Sequence, residues 1–131
     1  MVTYGDGLAN INIDDLLAFH QGHGKLATLT ATRPPSRFGI LELTEGDQVK
    51  QFREKVKTEW INGGFLVFNR RVFDYLDPDC ILEREPIEKL TAEKQLMAFW
   101  HEGFWIGMDT YREYEMLNQM WDTGNASWKV W

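Results

Sequence analysis

Residues 25–32 read KLATLTAT, with Leu26, Thr28 and Thr30 alternating against Ala27, Leu29 and Ala31. A period of two predicts a β-strand. Residues 38–43 and 49–52 predict two short strands around the turn Glu45-Gly46-Asp47, and residues 60–68 predict another, entered through Asn62-Gly63-Gly64. Residues 96–100 form a fifth apolar run, and Met1-Val2-Thr3-Tyr4 has the look of a strand ending at Gly5-Asp6-Gly7. Helical signals occur in four places. Residues 13–20 carry Asp14 and Asp15 in the first turn, where carboxylates suit the positive dipole end, with Gly22 or Gly24 as the stop. Asn69 can cap a helix to about Leu76, with Val72, Phe73 and Leu76 on one face, and Pro86 suits the first position of the next, before Ile87 and Leu90. Tyr111, Tyr114, Leu117 and Trp121 mark the last helix, from Thr110 to Trp121. Strands alternating with helices, plus one hairpin, predict an α/β layered domain with a mixed sheet, flanking helices and a small β-hairpin.

Composition narrows the function. The chain has 131 residues, the length of a single ordinary domain, 1–131. Its 14 Lys+Arg against 20 Asp+Glu give a net charge of -6. No basic stripe is visible, so nucleic acid is not the expected partner. One cysteine, Cys80, cannot close an internal disulfide and fits a reducing compartment. No leader opens the sequence as given and no apolar run is long enough to span a bilayer, so a cytoplasmic chain with no membrane partner is expected. Six Trp are many for this length, and Trp121, Trp128 and Trp131 crowd the C-terminus. That tail is read either as docked on its own domain or as a subunit contact.

Three places could carry chemistry. Asp6, between glycines after a strand, lies where ligands collect in open α/β sheets, although a tight turn with a solvated carboxylate is the commoner meaning of that spacing. Asp109 precedes the last helix. Thr110 with Glu113 has capping-box spacing, which would leave Asp109 outside the helix and able to bind a cation, unless Asp109 is itself the cap. Mg²⁺ is usually held by one or two carboxylates plus waters and phosphate oxygens, so two aspartates meeting at one sheet edge would suit it. Glu54-Lys55 can accept sugar hydroxyls and hold a phosphate, although an exposed charged turn is the commoner meaning of such a pair. His20 and His23 lack further ligands nearby for zinc. His101 and Cys80 read as structural, and Asn125-Ala126-Ser127 as a glycosylation pattern without meaning in a cytoplasmic chain.

Six motifs in order carry a resemblance. They are Val2-Thr3-Tyr4-Gly5-Asp6-Gly7, Arg37-Phe38-Gly39, Phe52-Arg53-Glu54-Lys55, Trp60-Ile61-Asn62-Gly63-Gly64-Phe65, Gly103-Phe104-Trp105 with Met108-Asp109-Thr110, and Trp128-Lys129-Val130-Trp131. Over essentially its whole length the chain resembles the second half of the glucose-1-phosphate cytidylyltransferases, sugar nucleotidyltransferases that make CDP-glucose and pyrophosphate from CTP and glucose 1-phosphate. The resemblance implies a Rossmann-like nucleotidyltransferase fold whose N-terminal nucleotide-binding half is missing. It implies Asp6 and Asp109 as the carboxylates for a catalytic Mg²⁺, and Glu54 and Lys55 on the sugar phosphate. It places Gly39 against the sugar, with Asn62, Gly63 and Gly64 beside it. The implied chemistry is in-line attack of a sugar-phosphate oxygen on the nucleotide's α-phosphorus, with Lys55 among the charges that neutralise it.

Two departures qualify this. Val56 follows Lys55 where the family has proline, which removes a backbone constraint beside the ligand pair. The family's glycine-rich triphosphate loop has no counterpart in these residues. The expectation is therefore a chain inactive alone, with an unpaired sheet edge that drives homo-oligomerisation. The alternative is a non-catalytic sugar-phosphate-binding or oligomerisation module. A metal-dependent glycosyltransferase would usually show Asp-x-Asp after the strand, and Gly5-Asp6-Gly7 is not that.

Overall fold

A computed structural model describes residues 1–34, 38–54 and 59–131. Along the chain run β1 (Val2–Thr3), β2 (Gly7–Ala9), α1 (Ile13–His23), β3 (Ala27–Thr32), β4 (Ile40–Leu43), β5 (Val49–Arg53) and β6 (Ile61–Phe68). A 3-10 helix (Arg70–Tyr75), α2 (Glu85–Ala92), β7 (Leu96–His101), β8 (Trp105–Gly107) and α3 (Tyr111–Asp122) complete it.

The main sheet has the order β1-β6-β3-β7, with β6 antiparallel to both neighbours and β3 parallel to β7. It is the mixed sheet that the alternation of elements predicts. β2 with β8, and β4 with β5, form separate antiparallel pairs. β3 is buried on both faces, as a central strand must be. On one face Leu26, Ala27 and Phe68 pack with Val72 and Tyr75 of the 3-10 helix and Leu90 of α2. On the other, Phe65, Val67 and Phe99 meet Ile11 and Leu16, the latter from α1.

Local signals explain the helix ends. The Asn12 side chain accepts from the backbone N–H groups of Asp14 and Asp15, and Gly24 closes α1 at φ 66°. Gly22 lies inside α1. Asn69 accepts from Arg71 N–H as predicted, but the segment it caps is a 3-10 helix with only Val72 buried. Glu85, one residue before Pro86, opens α2. Thr110 caps α3 in a full capping box with Glu113.

Two strands escape the periodicity. β2 and β8 are three residues each, too short to show a pattern. β6 is irregular where it faces β3. Leu29 pairs with Leu66 and Ala31 with Asn62, so two steps along β3 match four along β6. Two extra residues bulge out around Gly63 and Gly64, and Gly64 takes φ 75°, a left-handed conformation suited to glycine.

Candidate functional site

Strand direction gathers the candidate residues. β1, β3 and β7 run the same way and β6 runs against them. The exits of β1 and β7 and the entry of β6 therefore share one end of the sheet, where open α/β sheets place ligands. Tyr4-Gly5-Asp6 leaves β1 there, Asn62-Gly63-Gly64 enters β6 there, and the β7 exit leads through Gly103 into β8.

The β2–β8 pair then brings the two aspartates into neighbouring register. Gly7 lies opposite Gly107, and Met108 N–H donates to the Asp6 carbonyl oxygen at 2.9 Å. Asp109 is the next residue, so the aspartates stand one position apart across the strand pair. The Asp109 carboxylate lies beside Gly107, within 3.4 Å of where a Cβ would be, and its N–H donates to Glu113 Oε2 at 2.8 Å. Thr110 is the cap and Asp109 lies outside the helix, which settles the alternative left open by the sequence. Both aspartates are exposed.

The donor set suits a hard cation. Two carboxylates give oxygen ligands, and Mg²⁺ keeps waters and takes substrate oxygens for the rest. Among the described residues no group of three His, Cys, Asp or Glu assembles a closed metal site. His20 and His23 do not form a metal pair: His20 Nδ1 and His23 Nε2 both contact Thr28 Oγ1, at 2.9 and 2.7 Å. Burial lowers the pKa of both imidazoles, the neighbouring His23 adding to the effect on His20.

At the β6 bulge the glycines are packed in. A Cβ on Gly63 would come within 3.1 Å of the Thr30 carbonyl, and one on Gly64 within 2.8 Å of the Tyr4 ring. Trp105 Nε1 donates to the Gly63 carbonyl at 2.8 Å, tying β8 to β6. Asn62 Nδ2 donates to the Tyr4 hydroxyl at 3.0 Å, and its Oδ1 accepts from Gly64 N–H at 3.0 Å. Burial, followed by a hydrogen bond to Glu83, pushes the Tyr4 phenol up to about 12, and the same hydrogen bond holds the Glu83 carboxyl below its usual range.

Gly39 and Glu54 belong to a different part of the molecule, the β4–β5 hairpin and its end. Gly39 lies under the Phe52 ring, which would collide with a Cβ. Glu54 is exposed, and Lys55 lies outside the described residues. Sequence reasoning missed the contacts made by Tyr4, Glu83 and Trp105. Tyr4 and Trp105 stand in the motifs quoted, whereas Glu83 carries no local signal. A shallow groove of ≈ 270 Å³ runs behind β2 and β8, between Leu8, Met108, Leu117, Trp121 and Trp128, and neither aspartate lines it.

Comparison with known proteins adds to this geometry. Residues 1–127 match the Nucleotidyl transferase family. The glucose-1-phosphate cytidylyltransferase of Salmonella typhimurium is 48% identical over 134 residues, covering 100% of this chain and 52% of that protein. The mannose-1-phosphate guanylyltransferase catalytic subunit beta of Dictyostelium discoideum is 30% identical, covering 86% of this chain and 33% of that one. The crystal structure of HddC from Yersinia pseudotuberculosis superposes with a TM-score of 0.63 at 17% identity, over 91% of this chain and 53% of that chain. At that identity the likeness is one of fold. The chain thus spans about half the length of the Salmonella protein and of HddC.

Proposed function

Because this chain belongs to the nucleotidyl transferase family, we propose that it is the sugar-phosphate- and metal-binding part of a glucose-1-phosphate cytidylyltransferase. The reaction joins a phosphate oxygen of glucose 1-phosphate to the α-phosphorus of CTP and breaks that phosphorus's bond to pyrophosphate, leaving CDP-glucose. What supports the reading is the neighbouring register of Asp6 and Asp109 at the sheet end that also holds Asn62.

In this reading Asp6 and Asp109 hold Mg²⁺, which when bound neutralises charge building on the phosphoryl oxygens. Glu54 accepts sugar hydroxyls and Lys55 holds the sugar's phosphate as a mobile point charge. Asn62 offers a fixed amide at the β6 entry, where Gly63 and Gly64 let the strand pack closely on Thr30 and Tyr4. The nucleotide's cradle belongs to the remaining length of the family, so this chain alone binds glucose 1-phosphate but does not turn over CTP. It works in the cytoplasm; no helix among the described residues is long and apolar enough to cross a membrane.

Calorimetric titration with glucose 1-phosphate, with and without Mg²⁺, tests this. The expected result is saturable binding that Mg²⁺ strengthens, with the Mg²⁺ effect lost in Asp6→Ala and binding weakened in Lys55→Ala. Absence of heat at millimolar ligand would overturn it. One observation favours the second reading, a non-catalytic oligomerising module. Val130 and Trp131 are 68% and 82% exposed, and Phe52 and Leu43 on the hairpin are more than half exposed. That module would associate without binding the sugar phosphate.

A further inference from the structure

The Asn62 amide is oriented by its neighbours. Its atom facing Gly64 N–H must be the oxygen, because a backbone N–H only donates. The other atom, Nδ2, therefore faces the Tyr4 hydroxyl and donates to it. The Tyr4 oxygen accepts on that side, so it turns its own proton elsewhere.

Tyr4 is itself clamped. Its backbone N–H donates to the Gly64 carbonyl at 2.9 Å, and its ring covers Gly64 closely enough to exclude a Cβ. The hydroxyl cannot drift away from Asn62 unless the β1–β6 pairing moves with it. A flip of the amide would set NH₂ against Gly64 N–H, two donors face to face, at the cost of an unmade hydrogen bond on each.

So held, Asn62 keeps one N–H and one carbonyl lone pair for a ligand. A donor and an acceptor on one rigid amide match two neighbouring hydroxyls, one accepting and one donating, as on a pyranose ring. We infer that Tyr4 is a positioning residue that fixes the Asn62 amide to address two adjacent hydroxyls of a sugar 1-phosphate. The inference rests on the reading of this sheet end as a sugar-phosphate site.

The test uses the whole chain, ¹⁵N-labelled, with glucose 1-phosphate and inorganic phosphate as probes. Tyr4→Phe keeps the ring on Gly64 and removes only the hydroxyl. Affinity for glucose 1-phosphate should fall about five- to tenfold in Tyr4→Phe, one hydrogen bond's worth. Affinity for inorganic phosphate, which has no ring hydroxyls, should not change. Equal losses for both probes, or no loss in Tyr4→Phe, would overturn the inference. The Asn62 side-chain amide signals separate it from the reading beneath it. Unmoved signals in Tyr4→Phe overturn the positioning whatever the sugar does. Moved signals in a chain that never binds the sugar phosphate overturn the sugar-phosphate reading and leave Asn62 positioned by Tyr4.

Discussion

Gly39 and Gly64 each lie against an aromatic ring, and the two rings differ in freedom. Phe52 is 60% exposed on a hairpin and can swing aside. Tyr4 is half-buried, hydrogen-bonded to Asn62, and paired through its backbone to Gly64 itself. Gly64 also needs its positive φ. Gly64→Ala should therefore cost about 1–3 kcal/mol and Gly39→Ala less than about 0.5 kcal/mol, compared by urea unfolding. Equal costs would mean that the two rings are equally mobile. At this scale the sequence exposed features with a local signal, such as the Thr110 and Glu113 spacing that leaves Asp109 outside its helix. It did not expose the long-range contacts at the β6 entry. Trp105 reaches Gly63 across 42 positions and Tyr4 reaches Asn62 across 58, distances that no spacing rule covers.

Among the elements, α1 ends on titratable groups. His23 Nδ1 accepts from Lys25 N–H, so its Nε2 carries the proton given to Thr28 Oγ1. That arrangement needs a neutral ring, and Thr28 is fully buried. Burial lowers the pKa of His20 and His23 below the unfolded value near 6.5. The unfolded chain then binds more protons, so stability is full above roughly pH 6.5 and falls as pH drops through the folded values. The urea midpoint should decline as the pH falls below about 6.5, with a shallower decline in His23→Gln. A decline of the same steepness in that variant would assign the effect to other groups. α3 gives a simpler case. Thr110→Ala removes the hydroxyl that accepts from Glu113 N–H and should cost about 1 kcal/mol, read as a lower urea midpoint at unchanged slope. α3 was legible from its capping box, α1 from the aspartates of its first turn and α2 from Pro86 near its start, and β3 because its alternation spans six residues. The expected helix after Asn69 emerged as a 3-10 turn because too few of its residues face the core to sustain a longer one.

For the whole molecule, the balance of covered and uncovered apolar surface matters most. The C-terminal tail divides. Trp128 stacks against Phe104 with ring centroids 5.7 Å apart, and Lys129 lies over Trp121, whereas Val130 and Trp131 point away from the core. Docked tail and free contact surface are thus both present, in adjacent residues. With the hairpin's exposed face, this makes self-association the expected behaviour. Sedimentation velocity should show a mass rising above 15.4 kDa with concentration, and Phe52→Glu with Trp131→Glu should restore the single-chain value. A constant single-chain mass in the unaltered protein would show that water tolerates this surface. The mixed sheet and its flanking helices follow from alternating periods of hydrophobicity, but the pairing that unites Asp6 with Asp109 does not. It depends on β2 and β8, three residues apiece.

The bulge in β6 has a consequence in parity. The strand carries two surplus residues against β3, an even number, so the residues on either side of it keep their assigned faces. Leu66 stays with the side of Leu29, and Val67 with the side of Thr28. Deleting Gly63 alone would make the surplus odd and turn one flank of the strand over, presenting Val67 where Leu66 is fully buried. Deleting Gly63 and Gly64 together would leave every face as it is and remove the bulge with the hydrogen bonds that Trp105, Tyr4 and Asn62 make to it. The larger deletion is thus the gentler one for the core, and an odd-even count sets how many residues this strand can gain or lose.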